Sequence, residues 1–275
     1  MGSDELGASF GGDQATVRRI RDALAARPRG FFTDVDGTIS PIAPTPEAAV
    51  VAPGVAATLE RLAGRLSVVA AISGRAAADA ARLVGVPGLL YIGNHGLERL
   101  RGDHLEVDAA ARPYVPRIAA TLAAAERAAT GAGLRGLVFE DKGVTASIHY
   151  RLAPDSDRAR DMLEPLVRGL ADEAGLRVTE GRRILELRPP VRGDKGTALA
   201  GVIADHALAG VVFLGDDVTD LDAMAELRCQ REAGRIAGLN VGVADAPPTV
   251  RELADALAPD VASVAAFLAA VAERV

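Results

Sequence analysis

Tryptophan is absent from this 275-residue chain, and Phe and Tyr together make up only 3% of it. With nearly half the residues apolar, 49%, its core must be built from Ala, Val, Leu and Ile. Cysteine is reduced to Cys229, which excludes an intramolecular disulfide, and no Cys/His pattern of zinc-ligand spacing surrounds it. Positive charge is also short: 31 Lys and Arg stand against 37 Asp and Glu, a formal balance of -6. That argues against a nucleic-acid partner, whose phosphate backbone requires clustered Lys and Arg. An anionic small molecule remains admissible, because it responds to the local field. The longest apolar stretches are Ala-rich and broken by charges, so no segment is expected to span a membrane. The start, Met1-Gly2-Ser3-Asp4-Glu5, is polar and acidic and does not resemble a secretory signal. These absences set the expectation of a soluble, cytoplasmic, monomeric chain.

What is present is organised around Gly30-Phe31-Phe32-Thr33-Asp34-Val35-Asp36-Gly37-Thr38. Here an apolar run ends in two carboxylates separated by one residue. Residues i and i+2 leave an extended strand on the same side, and adjacent carboxylates repel unless a cation or shared proton intervenes. Two readings follow: a metal-dependent carboxylate nucleophile with an acid/base neighbour, or an ordinary strand-to-turn junction rich in turn residues.

Residues 1–13 are Gly-rich and polar and read as a mobile tail. A short helix is expected over 14–26, then the opening strand, a loop held extended by Pro41, Pro44 and Pro46, and a helix over 54–65. Leu66–Ile72 reads as a buried strand ending in Ser73-Gly74-Arg75, followed by a helix over 76–84. Leu89–Ile92 reads as a strand ending in Gly93-Asn94-His95-Gly96. This strand–helix rhythm predicts parallel strands with helices on their faces, and ligands bind such sheets beyond the carboxyl ends of the strands. The rhythm then changes. A helix over 112–129 precedes strands near 135–140 and 144–150, and a helix over 155–174 precedes strands near 176–180 and 183–187. Helix then two strands, twice over, indicates a small antiparallel sheet backed by two helices, closed by Pro189-Pro190. The first rhythm resumes with a helix over 194–206, the strand 211–214, the acidic turn Gly215–Asp220, a helix over 221–228, a strand over 238–243 and a helix over 261–273. The expected organisation is a Rossmann-like α/β core, 14–102 and 190–275, interrupted by an α+β cap, 103–189.

Asp216, Asp217 and Asp220 follow a second strongly apolar strand, so together with Asp34 and Asp36 they crowd carboxylates onto one sheet edge. Mg2+, a hard cation that takes oxygen ligands, suits such a set; a surface cluster of acids is the alternative. A carboxylate can attack phosphorus to form an aspartyl-phosphate, and the transferring group needs cationic and hydrogen-bonding partners. Lys195, at an expected helix start, and Ser73 can supply them, although singly the first reads as a solvated lysine and the second as a helix cap.

Asp34-x-Asp36-Gly37-Thr38, Ser73, Lys195 and Gly215-Asp216-Asp217-x-x-Asp220, in this order, resemble the four motifs of the haloacid dehalogenase superfamily over roughly residues 30–260. The resemblance implies Asp34 as nucleophile and Asp36 as general acid, then base. It implies Mg2+ held by the Asp34 carboxylate, the Asp36 backbone carbonyl and Asp216, with Asp217 and Asp220 behind them. Because carbon–halogen cleavage needs no acid for the leaving group, the second Asp favours a phosphatase. The position of the insertion is similar to that of the C2-type cap of the sugar-phosphatase branch.

Several local stretches are similar to trehalose-6-phosphate phosphatases. They are Ile72-Ser73-Gly74-Arg75; Gly93-Asn94-His95-Gly96-Leu97-Glu98; Glu140-Asp141-Lys142 with Ser147, His149, Tyr150 and Arg151; and Leu185-Glu186-Leu187-Arg188-Pro189. That likeness implies a small-molecule sugar-phosphate substrate. Thr38, Arg75, Asn94, His95, Gly96, Lys142, His149, Glu186 and Arg188 are its candidate contacts; each cap residue alone reads equally as a surface ion-pair partner. The chain departs from the family at Leu221, where Glu is usual. Alternative substrates are sucrose phosphate, a glycosyl-phosphoglycerate or an aminocyclitol pseudo-disaccharide phosphate. A reading of another class is a non-catalytic sugar-phosphate-binding module, since fold does not fix function. It is disfavoured by the presence together of Asp34, Asp36, Ser73, Lys195 and Asp216. Hinges are expected near 100–103 and 189–193, where Gly102 and Gly193 can absorb backbone rotation.

Overall fold

A computed structural model describes residues 14–181, 183–273 and 275; the expected N-terminal tail lies outside them. The chain divides into two compact units. One runs to Leu105 and resumes at Gly193; the other is Glu106–Arg192. Both junctions fall three residues later than the sequence reading places them.

The first unit is built on an eight-stranded sheet. Its strands are β1 (Arg29–Thr33), β2 (Val68–Ile72), β3 (Leu90–Gly93), β4 (Glu98–Arg101), β5 (His104–Val107), β10 (Gly210–Gly215), β11 (Ala237–Val243) and β12 (Ala256–Ala258). Their order is β12-β11-β10-β1-β2-β3-β4-β5. From β12 to β3 all neighbours are parallel, and β4 then runs antiparallel to β3. Strands β1, β2 and β10 are buried along their full length, so their apolar residues run without a polar face, as a sheet covered on both sides requires.

Alternation divides the core in two. Phe31, Val69, Ala71, Val212 and Leu214 face helices α1 (Gln14–Ala25), α2 (Val55–Ala63) and α9 (Val261–Ala272). Phe32, Ala70, Ile72, Val211 and Phe213 face α6 (Lys195–Asp205), α7 (Leu221–Glu232) and α8 (Pro248–Leu253). Helix α3 (Ala77–Val84) joins the first layer. Going outward from β1, the chain winds one way through β2 and β3 and the other way through β10, β11 and β12. The order therefore reverses between β1 and β10, the position at which open α/β sheets form ligand crevices.

Strands β4, β5 and β12 and helix α8 are absent from the sequence reading. β4 is rich in charge, Glu-Arg-Leu-Arg, and β5, the edge strand beside it, is exposed along almost its whole length, so neither carries the apolar run of a buried strand. β12 is three residues long, too short for any period to register. Helix α7 runs four residues beyond its expected end.

The second unit is a four-stranded antiparallel sheet in the order β6-β7-β9-β8, made of β6 (Val138–Asp141), β7 (Ala146–His149), β8 (Arg177–Gly181) and β9 (Ile184–Arg188). One face carries Ala146, Ile148, Leu185 and Leu187. They pack on Ile118, Leu122 and Ala125 of α4 (Val115–Gly131) and on Ala159, Leu163 and Val167 of α5 (Ser156–Ala174). Asp155 caps α5 by accepting from the Arg158 amide at 3.0 Å, and Gly175 ends the helix in the left-handed region at φ 67°. The architecture is the expected α/β core interrupted by an α+β cap.

Candidate active site

The sheet register brings the acids together. Thr33 pairs with Leu214, and the Asp34 amide donates to the Leu214 carbonyl at 2.8 Å. Asp34 and Asp216 thus leave neighbouring strands side by side at the point where the strand order reverses. Gly37, at φ +95°, turns the chain back so closely that a Cβ there would lie 2.1 Å from Asp216 Oδ2. No other residue fits that turn. Thr38, fully buried, donates its hydroxyl to Asp216 Oδ1 at 3.0 Å.

Lys195 stands at the first turn of α6, whose N-cap Asp194 accepts from the Thr197 amide at 2.6 Å. Its ammonium donates to Asp34 Oδ1 at 2.6 Å and to Asp220 Oδ1 at 2.7 Å. Asp220 Oδ2 accepts from the Asp216 and Asp217 amides, both at 3.0 Å. Asp220 is therefore the bracket of the site: one oxygen fixes the lysine and the other shapes the acidic turn.

Asp34, Asp216 and Asp220 each offer an oxygen within 4.8 Å of the others, and all three are buried. Three carboxylates face a single ammonium. Burial, reinforced by Asp220 and Asp216 against the pull of Lys195, holds the Asp34 carboxyl well above its ordinary range. Burial and then Asp220 push Asp216 up to about 6, against the Thr38 hydrogen bond and Lys195. Burial alone would lower Lys195, but Asp220 and Asp34 more than reverse it and hold the lysine above its usual value. This surplus of buried negative charge, made entirely of hard oxygen donors, fits a divalent cation such as Mg2+. Asp220, with both oxygens engaged, fits the role of partner to Lys195 better than that of ligand.

Asp36 is held by a different partner. Its carboxylate takes a two-pronged fork from Arg75, with Nε to Oδ2 at 2.6 Å and Nη2 to Oδ1 at 2.7 Å. Arg75 Nη1 donates to the Pro46 carbonyl at 3.1 Å. Ser73 accepts from the Arg75 amide at 3.1 Å, and the Arg75 carbonyl accepts from the Asn94 amide at 2.7 Å. Asn94, His95 and Gly96 form a tight turn, all with positive φ. A Cβ on Gly74 would meet the His95 ring at 2.7 Å, and one on Gly96 would meet the Asp194 carbonyl at 2.9 Å. The turn thus wedges between the Ser73 loop and the start of α6.

Glu98, which falls within the family-like stretch Gly93–Glu98 but is given no role from the sequence, has one in the structure. It is 5% exposed, caps α3 through the Ala77 amide and hydrogen-bonds the Asn94 side chain. Burial raises its carboxyl against both of those bonds. A lone glutamate two residues past a glycine turn offers no periodic signal; only its place in Gly93–Glu98 marks it. Leu221, the departure from the family pattern, packs on the buried cluster of Met224, Leu227 and Phe213.

In the second unit the cap candidates share the sheet face opposite its helices. Glu140 pairs across to Ser147, and Ser147 to Glu186. Lys142 Nζ lies 3.5 Å from Glu186 and 4.0 Å from Glu140; His149 Nε2 lies 2.9 Å from Glu140, and Arg188 3.9 Å from Glu186. Among the described residues, the Ser147 hydroxyl between the two glutamates is buried without a hydrogen-bond partner.

A doubly wound sheet with an inserted α+β unit is a fold that haloacid dehalogenase-like proteins share. A solved haloacid dehalogenase-like hydrolase from Bacteroides thetaiotaomicron matches it with a TM-score of 0.60 at 15% identity, over 87% of this chain and 97% of that one. The chain belongs to the trehalose-phosphatase family, whose profile matches residues 32–247. The trehalose-phosphate phosphatase of Mycobacterium tuberculosis strain H37Rv is 41% identical over 214 residues, which is 74% of this chain and 52% of that protein. The counterpart from Mycobacterium avium is 41% identical over 216 residues, 75% of this chain and 53% of the relative. The chain thus spans about half the length of the curated relatives it matches. The C-terminal domain of the Candida albicans trehalose-6-phosphate phosphatase shares the fold, with a TM-score of 0.75 at 21% identity, over 95% of this chain and 98% of that domain.

Proposed function

We propose that the chain is a Mg2+-dependent phosphatase that hydrolyses trehalose 6-phosphate to trehalose and phosphate through an aspartyl-phosphate. The observation that carries the reading is the Asp34 carboxylate: buried, gripped at Oδ1 by Lys195, set beside Asp216 and two residues before Asp36. Lys195 orients the carboxylate and keeps its charge, and attack on phosphorus falls to Oδ2. As that bond forms, the bond from phosphorus to the sugar oxygen breaks, and Asp36 as the acid gives its proton to the departing oxygen. Asp36, now a carboxylate, takes a proton from water as the water oxygen attacks phosphorus. The bond to Asp34 then breaks, phosphate leaves and Asp36 is again protonated. Ser73 and Lys195 supply hydrogen bonds to the phosphoryl oxygens.

Mg2+ would be held by the carboxylates of Asp34 and Asp216 and the Asp36 carbonyl, with Asp217 and Asp220 behind; once bound, it neutralises charge on the phosphoryl group. Asn94, His95 and Gly96 in the core, and Lys142, His149, Glu186 and Arg188 in the cap, recognise the sugar. The family membership and the 41% identity to trehalose-phosphate phosphatases support this substrate. The acidic balance supports a chain without a nucleic-acid partner, and we assign it as a cytoplasmic monomer acting on a diffusing substrate. No helix among the described residues is long and apolar enough to cross a membrane.

The test is a phosphate-release screen over trehalose 6-phosphate, sucrose phosphate, a glycosyl-phosphoglycerate and a pseudo-disaccharide phosphate, with Mg2+ present. Trehalose 6-phosphate is expected to give the highest kcat/KM. A higher value on another member would reassign the substrate, and binding without turnover on all would favour a non-catalytic module.

A further inference from the structure

Arg75 was expected to touch substrate, but its side chain is committed elsewhere. Its Nε and Nη2 take the two oxygens of Asp36, and its third nitrogen takes the Pro46 carbonyl. Pro46 opens a short 3-10 turn, Pro46–Ala48, in the Pro-rich loop that leaves the catalytic strand. The base of that loop is fastened beside Asp36 as well. Asp36 bridges Ser40, the Gly37 amide donates to the Ser40 carbonyl at 2.7 Å, and the Ser40 hydroxyl donates to the Val50 carbonyl at 2.9 Å. The loop is therefore tied to Asp36 at its root through Ser40 and at its middle through Arg75.

We propose that Arg75 is a positioning residue for the leaving-group acid rather than a substrate ligand, and that the loop 41–50 sets its aim through the Pro46 carbonyl. The inference rests on the phosphatase reading above. Its physical basis is geometric. A guanidinium is permanently charged and cannot itself give up a proton; what it does well is fix the plane of a carboxylate through two parallel bonds. With both Asp36 oxygens in the fork, proton donation requires one to swing out while the other stays as pivot. Asp36 enters this step carrying the proton that it took from water at the end of the preceding turnover; that proton sits on the oxygen that leaves the fork and passes to the sugar oxygen as the P–O bond breaks. Arg75 would be held in place during this swing by Pro46, so a looser loop means a less well aimed acid.

The experiment compares kcat/KM, which reports steps through leaving-group departure, for trehalose 6-phosphate and for 4-nitrophenyl phosphate, whose nitrophenolate departs without a proton. Inorganic phosphate inhibition is measured alongside, as a readout of phosphate binding. Arg75→Ala is expected to lower the sugar-phosphate value about 100-fold and the aryl value less than about fivefold, the span that a misplaced general acid covers. The inhibition constant for phosphate should stay within about twofold, a shift too small to signal a lost phosphate contact. Arg75→Lys keeps the charge but not the fork, so it should show the same selectivity at about tenfold, some 1.4 kcal/mol. Pro46→Gly frees the loop while leaving every site side chain in place, and should cost about fivefold on the sugar phosphate alone.

Equal losses on both esters, or weakened phosphate inhibition in the Arg75 variants, would overturn the positioning role. Full selectivity in Arg75→Ala with no effect of Pro46→Gly would overturn the part assigned to the loop. Should the wild-type chain hydrolyse aryl and simple alkyl phosphates but not trehalose 6-phosphate, the substrate reading fails. The fork is then still judged on the aryl-to-alkyl series, where Arg75→Ala must steepen the dependence on leaving group.

Discussion

The two units use charged residues in opposite ways. In the core, Lys195 holds Asp34 and Asp220 at 2.6 and 2.7 Å, and all three side chains are at most 7% exposed. In the cap, Lys142 and Glu186 are nearly as buried, at 8% and 9%, but stand 3.5 Å apart, with Lys142 4.0 Å from Glu140; the closer Glu140–His149 pair, at 2.9 Å, is about one-fifth open to solvent. Chemistry on a phosphate ester requires groups fixed before the substrate arrives, because reorganising them would add to the barrier. Recognition of sugar hydroxyls tolerates looser groups, since ion pairs that give way can exchange partners for a ligand. The core therefore holds its charges in short, buried contacts, and the cap holds its own in contacts that are either longer or more exposed.

The sharpest way to break this comparison is at Asp34. Asp34→Asn is expected to lower turnover more than about 1,000-fold, because an amide is not a nucleophile toward phosphorus, while the thermal midpoint holds or rises as carboxylate repulsion is relieved. Turnover within about tenfold of wild type would remove Asp34 from that role.

Chelation comes next in size. Exhaustive EDTA treatment should abolish turnover, with Mg2+ restoring it, while far-UV circular dichroism stays unchanged, since the core does not depend on a metal as a small zinc domain does. Activity surviving chelation would contradict the metal assignment.

On the cap side, Glu186→Ala or His149→Ala should lower kcat/KM about 10- to 100-fold on the disaccharide phosphate and less than about threefold on an aryl phosphate, because remote binding energy serves only the larger substrate. Equal losses would merge the roles that the comparison keeps apart.

The smallest effect is on stability. Asp216 is held up at about 6 in the fold, against about 3.9 when unfolded. A folded value above the unfolded one means that ionisation destabilises the native state; this cost is absent below the unfolded value and complete above the folded one. Mg2+ bound at the site would remove it, so added Mg2+ should raise the thermal midpoint by about 3 °C near pH 7.5 and by about 1 °C or less near pH 5. A Mg2+ effect that is larger at the lower pH would contradict the charge balance drawn for the site.

The sequence makes legible what is local. An apolar run that ends in Asp34-Val35-Asp36, and another that ends in Asp216-Asp217, announce two strand ends and their acids, and parallel winding brings those ends to one edge. The partnerships are another matter. Thr38 reaches Asp216 across 178 positions, and Arg75 reaches Asp36 across 39. Nothing local says whether Thr38 faces substrate or a fellow side chain. The bracket role of Asp220 depends on Lys195, 25 residues away, and on amides that point inward only once the turn has formed. Strand β4 and the edge strand β5 escaped because partly or wholly exposed strands carry the polar residues that loops carry.

The central claim, that Asp34 is the nucleophile of the core, is tested most directly by trapping the intermediate. The chain is mixed with trehalose 6-phosphate and Mg2+, quenched in acid within the first turnovers and reduced with borohydride, which converts an acyl phosphate to the alcohol. It is then digested and sequenced by mass spectrometry. The expected result is homoserine at position 34 within the tryptic peptide Gly30–Arg61, absent without substrate and absent in Asp34→Asn. Reduction at another carboxylate, or none while phosphate is being released, would contradict it.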